Sequence, residues 1–371
     1  MNGKRIIISG GGTGGHIFPA VSIANALKRI APDTEVLFVG ALGRMEMERV
    51  PAAGYRIVGL DIQGFNRSSL WMNIKLPFKL IKSLSKARKI LEEFKPHVAV
   101  GVGGYASGPL LHVAGNASVP YIIQEQNSYA GMTNKRLANK ASKICVAFEH
   151  MDRFFPKDKI MLTGNPIRQE SVAIEGKRQA ALNHFNLSAE RKTILVIGGS
   201  LGSSTLNKSV IAAIDLLIEQ DLQVIWQCGK YYFESYRDRI SERQGEYVKI
   251  YAFMDQMDYA YAAADVIVSR AGAGTISELC VIGKPVVLVP SPNVAEDHQT
   301  VNAKSLVDRS AALMVSDVDA EEKLMAKVMA LLADDGECDR LSTEIKKMAI
   351  TDADVVIAEE VLKLADRNEY R

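Results

Sequence analysis

The chain is short of cysteine, of uncharged apolar stretches and of any excess of one charge. Its four cysteines, Cys145, Cys228, Cys280 and Cys338, are spread through 371 residues, and no two are spaced as CxxC. That excludes a disulfide framework, a zinc knuckle and a dithiol redox motif. No uncharged run approaches the roughly 18 apolar residues of a membrane span. The first apolar run, Ile6-Ile7-Ile8, stops at Ser9 and a glycine cluster. It is too short for a secretory leader and lacks a small-residue cleavage site, so the expectation is a cytoplasmic protein. Lys and Arg total 45 and Asp and Glu 43, a net charge of +2, which speaks against a global nucleic-acid footprint. His97, His112, His150, His184 and His298 show no metal-ligand spacing, and no metal site is expected.

What is present is ordinary globular composition, 47% hydrophobic and 24% charged. At about 150 residues per domain the length fits two domains. Short β-branched runs alternate with helix-length segments such as Pro19–Ile30 and Lys79–Glu93. Strands are expected at Arg5–Ser9, Glu35–Val39, His97–Val102, Tyr121–Gln124, Lys143–Ala147, Thr193–Ile197, Gln223–Gln227, Val248–Tyr251, Asp265–Ser269 and Pro285–Val289. This alternation with continuously apolar strands predicts parallel sheets covered on both faces. An internal echo divides them. Ile6-Ile7-Ile8-Ser9-Gly10-Gly11-Gly12-Thr13-Gly14 is repeated in kind by Ile194-Leu195-Val196-Ile197-Gly198-Gly199-Ser200-Leu201-Gly202, 188 residues later. The expected organisation is a doubly wound domain over 1–164, a hinge at Gly164-Asn165-Pro166, a second over 165–340, and a helical tail, 341–371, packing back on the first.

Four glycine loops follow strands: Gly10 to Gly15, Gly101 to Gly108, Gly198 to Gly202 and Arg270 to Gly274. Such loops either serve a tight turn or bring backbone N–H groups to an anion at a helix N-terminus. Gly10, Gly12 and Gly15 satisfy G-x-G-x-x-G, but the next strand ends Phe38-Val39-Gly40-Ala41 without the acid a dinucleotide site needs. His16-Ile17 stands where a phosphate-loop ATPase has Lys-Ser/Thr. Four loops at strand carboxyl ends, the ligand edge of such sheets, point to a cleft lined by both domains. Thr275-Ile276-Ser277-Glu278 has the form of a capping box; the alternative is a helix N-terminus aimed at a diphosphate, with Glu278 on ribose hydroxyls. Arg270 is either a phosphate partner or an ordinary ion pair. His16, at a helix N-terminus, is a candidate general base.

Taken together these motifs resemble the inverting glycosyltransferases with two facing Rossmann-like doubly wound α/β domains, the B-type fold. Within them they resemble the peptidoglycan transferases that add N-acetylglucosamine (GlcNAc) to lipid I. The matching stretches are Gly10 to Pro19, Gly103 to Pro109, Glu125-Gln126-Asn127, Gly164 to Arg168, Gly198-Gly199-Ser200, Arg270 to Glu278 and Gln299 to Ala303. The resemblance implies an acceptor domain followed by a UDP-sugar domain. It implies inverting transfer of GlcNAc from UDP-GlcNAc to the 4-hydroxyl of MurNAc in undecaprenyl-pyrophosphoryl-MurNAc-pentapeptide, with no essential metal or cofactor. It makes Thr13, Gly14, Gly15, Asn127, Arg168, Ser200 and Gln299 donor contacts, Met254 a backbone contact to uracil, and Ala273, Gly274, Thr275, Ile276, Ser277 and Glu278 the diphosphate and ribose helix. It makes His16 the base, with Tyr105, Glu125 and Asn127 near the acceptor. Leu201, Ser203 and Gly274 depart from residues common in the family, Gln, Ala and a bulkier apolar side chain.

The chemistry is consistent with one positioned base and helix N-termini or Arg stabilising the departing UDP. The segment Arg67–Lys89 mixes Trp71, Met72, Ile74, Leu76, Phe78 and Ile81 with Lys75, Lys79, Lys82, Lys86, Arg88 and Lys89. It is either an amphipathic helix with a solvated basic face or a surface for anionic lipid at the cytoplasmic side of the inner membrane. No nucleic-acid reader motif accompanies it, and cell-wall synthesis proteins are the partners implied. The rival readings are a UDP-GlcNAc 2-epimerase, a glycolipid glucosyltransferase and a catalytically silent UDP-GlcNAc-binding subunit.

Overall fold

The structure is a computed structural model that describes residues 3–64, 74, 76–199, 201–294 and 297–369. Ser200, and Arg67–Asn73 with Lys75 of the basic segment, lie outside the described residues. The chain divides into two compact units, Met1–Ile167 with Ile350–Arg371, and Arg168–Ala349.

The first unit carries a seven-stranded sheet of β1 (Arg5–Ser9), β2 (Glu35–Ala41), β3 (Arg56–Leu60), β4 (Val98–Gly101), β5 (Tyr121–Glu125), β6 (Lys143–Val146) and β7 (Ile160–Leu162). Its order is β3-β2-β1-β4-β5-β6-β7, and every pair is parallel. The second carries β8 (Thr193–Ile197), β9 (Gln223–Gln227), β10 (Val248–Tyr251), β11 (Val266–Ser269), β12 (Val286–Leu288) and β13 (Leu313–Met314). Its order is β10-β9-β8-β11-β12-β13, again all parallel. In both, strand order reverses beside the first strand of the unit, the doubly wound arrangement.

The ten runs expected from sequence are all strands, within two residues at their ends. Three strands were not expected: β3, β7 and β13. Each is a sheet edge, and β7 and β13 are only three and two residues long. An edge strand has a partner on one side only and need not be continuously apolar, so its run is weaker. The apolar signal came from central strands such as β1 and β8, whose Ile6, Ile7, Ile8, Ile194, Leu195 and Val196 are fully buried.

In the first unit, the helix Ala353–Glu369 lies against the helix Gly14–Ile30. Its Ile357, Ala358, Val361, Leu362 and Ala365 join the core cluster of Ile17, Ile23, Ala24 and Leu27. The contact is pinned by Arg29 on Asp354 at 2.8 Å and by Asn368, which donates to the His97 carbonyl at 3.0 Å. Five apolar side chains at helical spacing explain why the last helix of the chain is an integral layer of this unit.

Candidate functional site

Each sheet has one switch point, and two glycine loops meet at each. In the first unit they follow β1 and β4, which are hydrogen-bonded neighbours. In the second they follow β8 and β11, also neighbours. Ligands of doubly wound sheets bind outside the carboxyl ends of the strands at such a reversal.

In the first unit the helix Gly14–Ile30 begins at the loop, with exposed Thr13 as an extended N-cap that makes no side-chain cap bond. Gly14 and Gly15 open its first turn. His16 follows. Its Nδ1 lies 3.0 Å from the Gly11 carbonyl oxygen and 3.4 Å from Thr13 Oγ1. A carbonyl only accepts, so Nδ1 carries the proton, and in the neutral ring Nε2 holds the lone pair. Gly103, at φ +95°, lies beside that edge: a Cβ there would stand 2.7 Å from Nε2. Any side chain at Gly103 would crowd this nitrogen.

Tyr105 is 47% exposed, and its ring covers Gly64, where a Cβ would meet Cζ at 2.1 Å. Glu125 is different. It is 2% exposed, and its carboxylate accepts from the N–H groups of Asn127 at 3.1 Å and Gly131 at 2.9 Å and from Asn134 Nδ2 at 2.8 Å. These three bonds brace the loop 126–134. Asn127, half-buried, is held by that brace. Behind it Gln124, Gln126 and Asn165 form a buried amide network: Gln126 Nε2 donates to the Val102 carbonyl at 2.7 Å and to Gln124 Oε1, Gln124 Nε2 to Asn165 at 3.0 Å, and Asn165 Nδ2 to the Gln126 carbonyl at 3.1 Å. Sequence reasoning also passed over Glu46. It lies in a charged run that reads as a solvated helix face, yet it is fully buried.

In the second unit the helix Ala273–Ile282 starts under Gly272, an extended N-cap without a side-chain bond. Thr275 therefore sits inside the first turn, and the capping box is not formed. Ser277 turns back to the Ala273 carbonyl at 3.1 Å. Glu278, its side chain 15% exposed, accepts from the Tyr261 hydroxyl at 3.1 Å and faces the Arg168 guanidinium at 3.8 Å. Burial raises the Glu278 carboxyl above its ordinary range, against the opposing pull of Arg168 and Tyr261. Burial and the neighbouring carboxylate in turn push the Tyr261 hydroxyl well up. Gln299 Oε1 accepts from the N–H groups of Ala271 at 3.2 Å and Ser291 at 2.9 Å, and buried Asn302 donates to the Ala271 carbonyl at 3.2 Å. Gln299 and Asn302 together set the path of the fourth loop into its helix. Gly274 leaves open space where a Cβ would stand. Ile276 is buried, and so is Met254, at 5% exposure.

Arg270 is bonded within the protein. Nη1 donates to Asp317 at 2.6 Å and to the Val289 carbonyl at 3.0 Å, and Nη2 to Ser203 Oγ at 2.6 Å. The guanidinium is held by these protein partners. Ser203, one of the departures from the family pattern, accounts for itself: it caps the helix Ser204–Glu219 through the Leu206 N–H at 3.2 Å and receives Arg270. One hydroxyl thus joins the third loop to the fourth.

The basic segment contributes the helix Leu76–Phe94. It buries Ser83, Ala87, Ile90 and Leu91 and leaves Phe78 74% and Ile81 66% exposed. Lys79 pairs with Asp61 at 3.1 Å, and Lys86 donates to the Gly59 carbonyl at 2.7 Å. Lys82 is exposed beside Phe78 and Ile81. Among the described residues no helix is long and apolar enough to cross a membrane, and no cluster of three His, Cys, Asp or Glu is arranged to hold a metal.

Comparison with known proteins supplies the remaining facts. The glycosyltransferase family 28 N-terminal domain matches residues 6–146, and the glycosyltransferase family 28 C-terminal domain matches 193–357. Relatives from Parabacteroides distasonis and Bacteroides thetaiotaomicron are 55% and 56% identical over 99% and 98% of this chain and 100% and 98% of theirs. Both are named UDP-N-acetylglucosamine–N-acetylmuramyl-(pentapeptide) pyrophosphoryl-undecaprenol N-acetylglucosamine transferase. The crystal structure of MurG from Acinetobacter baumannii is 27% identical, with a TM-score of 0.78 over 97% of this chain and 99% of that one. A UDP-GlcNAc 2-epimerase from Neisseria meningitidis, 14% identical with a TM-score of 0.68, shares the fold alone.

Proposed function

The chain belongs to glycosyltransferase family 28, and from that premise we infer that it transfers GlcNAc from UDP-GlcNAc to the polyprenyl-pyrophosphate-linked MurNAc acceptor, lipid I, giving lipid II. The observation that carries this is identity of 55% over 99% of the chain with a transferase so named. We assign acceptor and base to the first unit, and the nucleotide and most of the other donor contacts to the second. The acceptor's 4-hydroxyl oxygen attacks the anomeric carbon from the face opposite UDP. A bond forms to that oxygen, and the bond from the anomeric carbon to the diphosphate breaks. The electron pair leaves with UDP, and the hydroxyl proton passes to His16 Nε2. The N-terminus of the helix Ala273–Ile282 stabilises the departing charge, and Glu278 receives ribose hydroxyls. Thr13, Gly14, Gly15, Asn127, Arg168, Ser200, Gln299 and the Met254 backbone complete the donor contacts, and Tyr105 serves the acceptor.

A lipid-linked acceptor keeps its pyrophosphate near the bilayer, so the enzyme works at the cytoplasmic membrane face. Phe78, Ile81 and Lys82 are the part of the basic helix suited to an anionic bilayer. The deciding experiment is a transfer assay with UDP-GlcNAc and a lipid I analogue, the product's anomeric configuration being read by NMR. A β-linked disaccharide from the α-linked donor is the expected product. Hydrolysis or 2-epimerisation of UDP-GlcNAc without transfer would overturn the reading.

A further inference from the structure

Glu46 is the first residue of the helix Glu46–Ala52, and its carboxylate is buried beneath the first glycine loop. Oε1 accepts from the Ala41 N–H at 2.9 Å and Oε2 from the Gly12 N–H at 2.9 Å. The register of β1 on β2, with Ser9 opposite Val39, brings the two donors side by side. Two glycines make the room. A Cβ on Gly11 would meet Oε1 at 2.2 Å, and one on Gly40 would meet Glu46 Cγ at 2.6 Å. Among the described residues no cation is within ion-pairing distance of this carboxylate. A buried charge without a counter-ion is costly unless strong hydrogen bonds hold it, so its retention calls for a reason.

The reason lies in the bond between Gly11 and Gly12. The Gly12 N–H that Glu46 accepts and the Gly11 carbonyl that accepts His16 Nδ1 belong to the same planar peptide group. A third glycine, Gly104, lets that carbonyl pass, for a Cβ there would lie 2.3 Å from the Gly11 oxygen. An anion on the N–H side of a peptide polarises it and makes its carbonyl a stronger acceptor. We propose that Glu46 is a positioning residue for His16, acting through the Gly11–Gly12 peptide: it fixes the Nδ1–H tautomer and stabilises the imidazolium formed as Nε2 takes the acceptor's proton. Glu46 keeps its charge throughout, and Nδ1 keeps its proton. The arrangement does for His16 what a carboxylate bonded directly to a catalytic histidine does elsewhere, with one peptide unit interposed.

The proposal rests on His16 being the base, and its test separates the two. Nitrogen-15 NMR of imidazole-labelled wild-type enzyme reads the tautomer without any turnover. His16 should carry its proton on Nδ1, and a proton on Nε2 would overturn the relay whatever the activity. Glu46→Gln keeps the volume but places an NH2 against one of the two N–H donors. It should populate the other tautomer and lower kcat roughly 10- to 100-fold, the usual cost of removing a group that orients a working ligand or base. KM for UDP-GlcNAc should stay within about twofold of wild type, since Glu46 itself is none of the assigned donor contacts. In a His16→Ala background the same substitution should cost nothing further. A merely structural Glu46 predicts instead an equal loss in both backgrounds, a raised KM and an unchanged tautomer. If Glu46→Gln fails to fold, the wild-type tautomer together with Glu46→Asp, which keeps the charge but shortens the reach, decides the matter: wild-type kcat in the Asp variant with His16 tautomers mixed would refute the relay. Wild-type enzyme with the expected tautomer but no transfer would count against the proposed reaction and leave the relay standing.

Discussion

Replacing Glu278 by Gln keeps the side chain's volume and removes its charge. In the free protein the carboxylate is held by the Tyr261 hydroxyl at 3.1 Å and by Arg168 at 3.8 Å, with the side chain 15% exposed. Two ribose hydroxyls would add two donors to it. A hydrogen bond to a charged group contributes about 1.5–3 kcal/mol, which is roughly 10- to 150-fold in Kd. Glu278→Gln retains one carbonyl oxygen and should fall at the lower end of that range, Glu278→Ala at the upper. The pH dependence has a definite sign. Burial raises the folded-state pKa above the ordinary value of 4.5. The stability this group contributes is therefore fully present below the unfolded value and is lost as pH rises through the folded one. Ribose hydroxyls favour the carboxylate, so donor affinity should tighten as pH rises through the same window, with release of protons on binding. Calorimetric titration of UDP-GlcNAc into concentration-matched folded protein, in buffers of different ionisation enthalpy, measures both effects. Unchanged Kd in both variants, or the same pH slope in Glu278→Gln as in wild type, would refute the ribose assignment.

His16→Ala should slow transfer by roughly 10²–10⁴-fold, the range for loss of a general base, while the calorimetric Kd for UDP-GlcNAc stays near wild type. Near-normal single-turnover rates would remove His16 from that role. Arg270→Ala breaks a pair with Asp317 in which both side chains are under 20% exposed and strands Ser203 as well. It should cost about 3–5 kcal/mol in urea unfolding, and a wild-type unfolding midpoint with weakened nucleotide binding would favour the phosphate-partner role instead. Phe78→Ser, Ile81→Ser and Lys82→Glu together should reduce sedimentation with vesicles rich in anionic phospholipid, the charge alone accounting for about 1 kcal/mol. Activity on a short-chain soluble acceptor should be kept, and unchanged sedimentation would move the docking face elsewhere.

The features that sequence determined are those that need only local information. Unbroken apolar runs at Ile6–Ile8, Ile194–Ile197 and Val266–Val268 mark strands buried on both faces, and their alternation with helices leaves a parallel doubly wound sheet as the economical solution. Glycines directly after those runs mark where a backbone must turn tightly or be approached closely. His16 could be singled out for the same reason, as the titratable side chain within such a loop. The edge strands β3, β7 and β13 were not legible, because they lack the burial on both faces that writes a continuous apolar run, whereas β10, also an edge, was. Nor were the fates of the charged residues. Glu46, Glu125, Glu278 and Arg270 look alike in a sequence, yet one lies under a glycine loop, one braces a loop, one is held beside Tyr261 and Arg168, and one ties two loops together. What separates them is which N–H groups, carbonyls and counter-charges come within about 3–4 Å. That depends on strand register and on contacts between segments far apart in the chain: Arg270 meets Asp317 47 residues on, and Glu46 meets Gly12 34 residues back. Periodicity and turn chemistry are written residue by residue and can be read that way. The partner of a buried charge is set only when the sheet closes, because only then do distant backbone groups come within hydrogen-bond distance and water is excluded.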